Sequence, residues 1–291
     1  MSESTARVGV LGLGAIGLPI AQRLRDAGFD VAVHDADPAR ASLVPEAEAG
    51  AEAVLACGTL CVVTPDEAAL LELIQDGGEL RTGAVETVIL VSTVLPERAR
   101  ETSALLAERD ILLVEAPVSG GPDRARAGEL TVLVGSDADA SRARPVIDAL
   151  ASRVFPVGRV GAASAVKLAN QLVLFSALTA LHDGLALAAA NGVSEEDALA
   201  VLAESTGDTW AGRHLAFFDE LAQSYDEAGT PAEARPWRKD LAEFARAALA
   251  AGVDASHAAA LVAGAGDRIE AHARTSGQPE TNDTTTHGGN A

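Results

Sequence analysis

The chain has 291 residues, 48% of them hydrophobic and 22% charged, which describes a globular protein with room for two ordinary domains and a sizeable core. Against 22 basic residues stand 42 acidic ones, a formal net charge of −20 at pH 7. That field repels phosphate, so nucleic acid and anionic membrane surfaces are excluded as main partners, and any anionic cofactor has to be held by local groups.

The N-terminal MSESTARVGVLG leads straight into a strand, without the basic and then apolar segments of a secretory signal. No run of about 18 apolar residues free of charge and glycine follows, so the expectation is a cytoplasmic protein that does not enter a membrane. RVGVLG, FDVAVHD, LCVVT, TVILVS and ILLVEAP read as strands, and AIGLPIAQRLRDAG, DEAALLELI and PERARETSALLAERD between them as helices. Such alternation predicts a doubly wound, mostly parallel sheet with helices on both faces. LTVLVGS and RVFPVG, separated by a helix over Asp139 to Ala151, finish the sheet. From Gly161 onward the β-signal stops, and helical spacing predicts helices over 163–191, 194–204, 210–227, 236–251 and 254–272. Gly192 and Gly252, each followed by Val, are natural helix stops. The organisation is therefore a nucleotide-binding α/β domain over 1–161, an all-helical domain over 162–274, and a polar tail over 275–291 with no periodicity, predicted to be disordered.

Between the first strand and helix stands Gly12-Leu13-Gly14-Ala15-Ile16-Gly17, the pattern Gly-x-Gly-x-x-Gly. Gly12 permits the tight turn, Gly14 lets a pyrophosphate approach the backbone, and Gly17 lets helix and strand pack closely, while the helix N-terminus supplies amide donors. Asp35 ends the second strand, 18 residues past Gly17, where a carboxylate accepts from the adenosine ribose hydroxyls. Its charge repels a 2′-phosphate, so the expected cofactor is NAD; Arg40 is near enough in sequence to leave NADP open.

Thr64 and Pro65 in VVTP, and Thr93 in VSTVLP, sit at carboxyl ends of predicted strands, the edge where ligands bind in open α/β sheets. They are candidates to line the cofactor's ribose and nicotinamide, although each also suits ordinary turn chemistry. Cys57 and Cys61 lie against an apolar run and read as small buried hydrophobes. The six histidines and two cysteines show no His-x-x-x-His or Cys-x-x-Cys arrangement, so no metal is expected.

In VEAPVSGGPDRARAGEL a strand runs into Ser119-Gly120-Gly121, whose bare amides and single hydroxyl suit a carboxylate. Taken in order, GLGAIGLPIAQRL, STVLP, EAPVSGGP with AGEL, KLANQ and RKDL resemble the β-hydroxyacid dehydrogenase family, which includes 3-hydroxyisobutyrate dehydrogenase and tartronate semialdehyde reductase. The resemblance extends to about His272 and implies a Rossmann-type domain joined by a long helix to an all-helical one. It implies oxidation of a hydroxyl β to a carboxylate, or reduction of the aldehyde, with a nicotinamide cofactor. By position it makes Lys167 the catalytic lysine, Ser119, Gly120 and Gly121 the carboxylate cradle, and Asn170 and Gln171 the substrate-site amides. Lys239, followed by Asp240, becomes a lysine on the cofactor side of the cleft.

Helix geometry agrees, since Lys167, Asn170 and Gln171 are related by i, i+3 and i+4 and present to one side. Alcohol oxidation needs a group that takes the hydroxyl proton, and a partly buried lysine can do so near neutrality. The chain departs from the family in carrying Ile16 and Ile20 where Met is usual, in the polar EAGTPAEARPW, and in lacking the usual Gly-Asp-x-Asp-like ending. Trp210, His214, Phe217, Phe218 and Trp237 suit a pocket wall, a core or a subunit interface. An imine reductase on the same architecture, or a dinucleotide-binding protein without turnover, are the alternative readings. The apolar helices after Gly161 further predict a homodimer or homotetramer through the helical domain.

Overall fold

The computed structural model describes residues 6–76, 79–227 and 229–276; the expected tail lies outside the described residues from 277 onward. The chain forms two compact units, one reaching to Asn170 and including Glu243–Asp254, the other running from Gln171 to Ala242 and resuming at Ala255.

The first unit opens with β1 (Arg7–Leu11), α1 (Gly17–Asp26), β2 (Asp30–His34), α2 (Pro38–Ala41), β3 (Glu48–Ala49), α3 (Ala51–Leu55) and β4 (Thr59–Val62). It continues through α4 (Ala68–Ile74), the small hairpin β5 (Gln75–Asp76) and β6 (Glu79–Leu80), then β7 (Thr87–Leu90), α5 (Pro96–Ala107) and β8 (Leu112–Glu115). After β9 (Val118–Ser119) and α6 (Gly121–Ala127) come β10 (Leu130–Ser136), α7 (Arg144–Leu150) and β11 (Ala151–Gly158). The main sheet has the order β11-β10-β8-β7-β4-β1-β2-β3, with β9 paired to β10. β1 pairs in parallel with β2 on one side and β4 on the other, so the winding reverses there and opens a crevice at the carboxyl ends of β1 and β4. The parallel run reverses at β10, which is antiparallel to β8 and β9 and parallel to β11. Central strands read as continuous apolar runs because both faces are covered: along β7, Val88 and Leu90 enter one core and Ile89 the other.

The long helix α8 (Ala162–Ala190) starts in the first unit and continues into the second. It is followed by α9 (Glu195–Ala203), α10 (Trp210–Arg213), α11 (Leu215–Glu227), a 3₁₀ turn (Ala232–Ala234), α12 (Pro236–Ala250), α13 (Ser256–Val262) and α14 (Ala265–Ser276). Ser194 starts α9 by accepting from the Asp197 N–H at 3.1 Å, and Gly192 and Gly252 take positive φ at the helix ends expected for them. Two helices expected as single pieces are broken. His214 leaves helical geometry with its Nδ1 2.9 Å from the Trp210 carbonyl, and Ala263-Gly264 separates α13 from α14. Phe218 and Trp237 are core residues of this unit, packed with Phe175, Leu178, Leu241 and Ile269.

By length and composition alone α8 could cross a membrane: its most apolar 18-residue window has a mean hydropathy of 1.7, and 28% of that window is buried. The run free of charge and glycine is still short of 18 residues, as expected, because Lys167, Asp183 and Gly184 interrupt the apolar sequence; the helix itself continues through all three. Val166, Val173, Ala180 and Leu187 are all exposed and fall seven residues apart, in one stripe along α8.

Candidate active site

The glycine loop is built by close approach. Gly12 has φ +92°, and a Cβ there would lie 2.5 Å from the Val63 carbonyl; one on Gly17 would lie 2.0 Å from the Gly12 carbonyl. Gly14 differs, having nothing within 4 Å of an added Cβ. The outer two glycines thus answer to the protein and the middle one to open space. The Gly12 N–H donates to the His34 carbonyl at 2.8 Å, tying the loop to β2. No side chain caps the start of α1. The Leu18 N–H donates to the Gly14 carbonyl at 3.1 Å and Pro19 has no N–H, so an anion there would meet the loop amides at and before Gly17.

Asp35 grips the same loop. Its Oδ2 accepts from the Leu13 N–H at 2.6 Å and its Oδ1 from the Asp37 N–H at 2.9 Å, while Arg40 donates to the Leu13 carbonyl at 3.1 Å. Leu13 itself is fully buried and serves through its backbone. Gly12, Gly14, Asp35, Arg40, Thr64 and Pro65 share a cleft of about 660 Å³ at the crevice between β1 and β4, whose lining also includes Glu72 and Arg81. Thr64 is fixed through Ser92, whose hydroxyl accepts from the Thr64 N–H at 3.1 Å and donates to the Val62 carbonyl at 3.3 Å. Sequence reasoning passed over Ser92, although it stands inside VSTVLP beside Thr93.

The remaining residues do not line this cleft. Ser119 is exposed in β9, opposite Thr131 of β10, and Gly120 and Gly121 follow with φ of +139° and +79° into α6. Bare backbone is required at Gly120, where a Cβ would meet Arg124 and the α6 turn is tight. Lys167 lies on α8 at 8% exposure; Gln171, one turn on, is buried, whereas Asn170 is exposed. In the second unit Asp240, itself buried, accepts from Gln171 Nε2 at 2.7 Å and pairs with Lys239 Nζ at 3.2 Å. The sequence suggested Asp240 only as a companion of Lys239; that it also holds Gln171 is a tertiary fact.

Among the described residues no group of three or more His, Cys, Asp or Glu could hold a metal ion. Cys57 and Cys61 are free and buried, and burial pushes the Cys61 thiol up to about 12, so neither is a ready nucleophile. A second hollow, of about 380 Å³, lies in the helical unit against His182, Asp183, Glu195, Arg268 and His272, none of them singled out as site residues from sequence.

Residues 7–158 match the family described as the NAD binding domain of 6-phosphogluconate dehydrogenase. Residues 161–278 match the one described as NAD-binding of NADP-dependent 3-hydroxyisobutyrate dehydrogenase. The 3-hydroxyisobutyrate dehydrogenase of Pseudomonas aeruginosa is 35% identical over 212 residues, 70% of this chain and 71% of that protein. The NAD-dependent L-serine dehydrogenase of the same organism is 32% identical over 213 residues, 70% and 72%. Among solved structures, Mycobacterium tuberculosis 3-hydroxyisobutyrate dehydrogenase with L-serine superposes with a TM-score of 0.75 at 26% identity, covering 94% of this chain and 100% of that one. With both halves matched and relatives of this identity, the chain belongs to the β-hydroxyacid dehydrogenase family of NAD(P)-dependent oxidoreductases.

Proposed function

We propose that this enzyme oxidises a small β-hydroxy acid to its semialdehyde, and runs the reverse reduction, with Lys167 as the proton carrier. The observation that carries the reading is a lysine at 8% exposure on α8, in a chain of this family. Lysine is almost never so buried without a task or a partner. The relatives' names support the substrate class: 3-hydroxyisobutyrate and L-serine both carry a hydroxyl β to a carboxylate.

The dinucleotide fits the cleft on the evidence of Gly14, whose missing Cβ leaves open space at the head of α1. Its pyrophosphate would lie against Gly14 and the loop amides at the head of α1, with Gly12 shaping the turn beneath, Asp35 would hold a ribose, and Thr64 and Pro65 would line the rest of the cleft. When bound, it supplies a hydride acceptor. Asp35 favours NAD over NADP by repelling a 2′-phosphate. Ser119, Gly120 and Gly121 receive the substrate carboxylate, and Asn170 and Gln171 orient its polar groups. As the alcohol becomes a carbonyl, Lys167 takes the hydroxyl proton and stabilises the alkoxide that develops; in reduction it returns the proton. Within the second unit Asp240 orients both Lys239 and Gln171.

A second copy of the chain covers α8 in this proposal, because the exposed apolar residues form a seven-residue stripe, the pattern of helix pairing, and a lipid-facing helix needs no stripe. A cytoplasmic location is part of the same reading, with two free thiols suited to a reducing compartment.

The test is steady-state turnover of purified protein on 3-hydroxy acids, 2-hydroxy acids, simple alcohols and, in reverse, cyclic imines, each with NAD(H) and NADP(H). Turnover confined to 3-hydroxy acids and faster with NAD is expected. Reduction of imines without oxidation of any hydroxy acid would overturn the reading, as would binding of NAD without turnover.

A further inference from the structure

A buried carboxylate that neither the glycine loop nor the substrate cradle uses stands at the head of the helix that carries Lys167. Glu115 is the last residue of β8 and is 1% exposed. Its Oε2 accepts from the Gly161 N–H at 2.6 Å, and its Oε1 accepts from the Ser164 N–H at 3.2 Å and from the Ser164 hydroxyl. Gly161 and Ser164 bracket the start of α8, where backbone amides have no helical partner and an anion is favoured. A glutamate buried this deeply is costly unless its lone pairs are met, and here three donors meet them.

The surroundings are cut to this contact. A Cβ on Gly135 would lie 2.6 Å from Glu115 Oε2, so β10 makes room for the carboxylate only by having no side chain there. Gly161 takes φ +95°, and a Cβ on it would lie 2.2 Å from Arg100 Nη1. Gly135 thus leaves room for the carboxylate, and Gly161, in a conformation that favours glycine, presents its N–H to it. Ser164 precedes Lys167 by three residues, so the two share a helix face about one turn apart.

We infer that Glu115 is a positioning residue for Lys167: its carboxylate pins the first turn of α8 to the carboxyl end of β8 and thereby sets where the lysine leaves the helix. The inference rests on Lys167 being the proton carrier. A shift of about 1 Å in such a group costs on the order of 10²-fold in rate, so a loosened anchor should act on kcat while the dinucleotide cleft, which Glu115 does not line, is left alone.

The test compares Glu115→Gln, Glu115→Asp, Ser164→Ala and Lys167→Ala for kcat, KM of a 3-hydroxy acid, Kd of NAD and Tm. Glu115→Gln keeps the size but turns an amide NH₂ toward a donor. It is expected to lower kcat by about tenfold or more, with KM and Kd within about twofold of the parent. Glu115→Asp should recover part of the loss, and Ser164→Ala should lose less in the same direction. A folded Glu115→Gln with parental kcat overturns the inference, as does a fall in kcat, KM and Kd together that follows Tm. If Glu115→Gln fails to fold, Ser164→Ala decides, and parental kcat there overturns it. Lys167→Ala with parental activity instead overturns the lysine assignment; loss of activity in Lys167→Ala beside parental Glu115 and Ser164 variants overturns the positioning role alone.

Discussion

The Asp35 carboxylate accepts a 2.6 Å hydrogen bond from the Leu13 N–H, so the residue proposed to select the cofactor also shapes the glycine loop proposed to hold it. Removing it costs both functions. Asp35→Ala is expected to weaken NAD binding by about tenfold, the size of one charge-assisted hydrogen bond, and to lower the ratio of kcat/KM with NAD to that with NADP. Fluorescence titration and steady-state kinetics measure both; an unchanged NAD affinity contradicts the assignment.

The three loop glycines separate fold from binding. Gly14→Ala meets nothing within 4 Å, so Tm should stay within about 2 °C of the parent while NAD affinity falls. Gly17→Ala must displace the Gly12 carbonyl, which its Cβ would approach to 2.0 Å, and should lower Tm by several degrees as well. Thermal melts with and without NAD check this pair. Equal Tm losses in the two variants would show that Gly14 does not face an open cleft.

The glycine loop was legible because its chemistry is local: strand, turn and helix adjoin in sequence, and Asp35 ends the next strand. The parallel strands were legible for a related reason, since apolar runs such as TVIL are buried on both faces. Glu115 and Ser92 were not, because each acts on a segment far along the chain: Glu115 on Ser164 and Ser92 on Thr64. The break at His214 was hidden too, since a side chain bonding the Trp210 carbonyl leaves no periodicity signal. Short pieces such as α6 depend on glycine geometry, with Gly120 before it and Gly128 after it both at positive φ.

The helical unit contains a histidine clasp with a pH signature. His272 lies 2.8 Å from Asp219 and 3.0 Å from Glu195, and these hydrogen bonds raise its pKa to about 9. His182 stacks on it with ring centroids 4.9 Å apart, and burial together with the His272 charge lowers the His182 pKa. The stabilisation from His272 is therefore full below its unfolded value of about 6.5 and is lost as pH rises through about 9. His182 works in the opposite sense, stabilising above about 6.5 and ceasing to do so as pH falls through its lowered value. Melts of the parent and His272→Gln from pH 5 to 10 should differ most at low pH and converge above pH 9; a gap that widens with pH contradicts the clasp.

The stripe on α8 predicts association. Val173 and Leu187 are each 69% exposed, and Val173→Glu with Leu187→Glu should halve the mass found by sedimentation without lowering the helix content. A parent that sediments as a monomer contradicts the pairing of α8 with a second copy.

The central claim is that Lys167 carries the proton, and Lys167→Ala assayed on the best 3-hydroxy acid, with NAD affinity measured on the same sample, tests it most directly. A general acid–base group contributes about 10²- to 10⁴-fold. A loss of that order in kcat/KM is expected, with NAD affinity unchanged because Lys167 does not line the glycine-loop cleft. A Lys167→Ala enzyme turning over at the parental rate would contradict it.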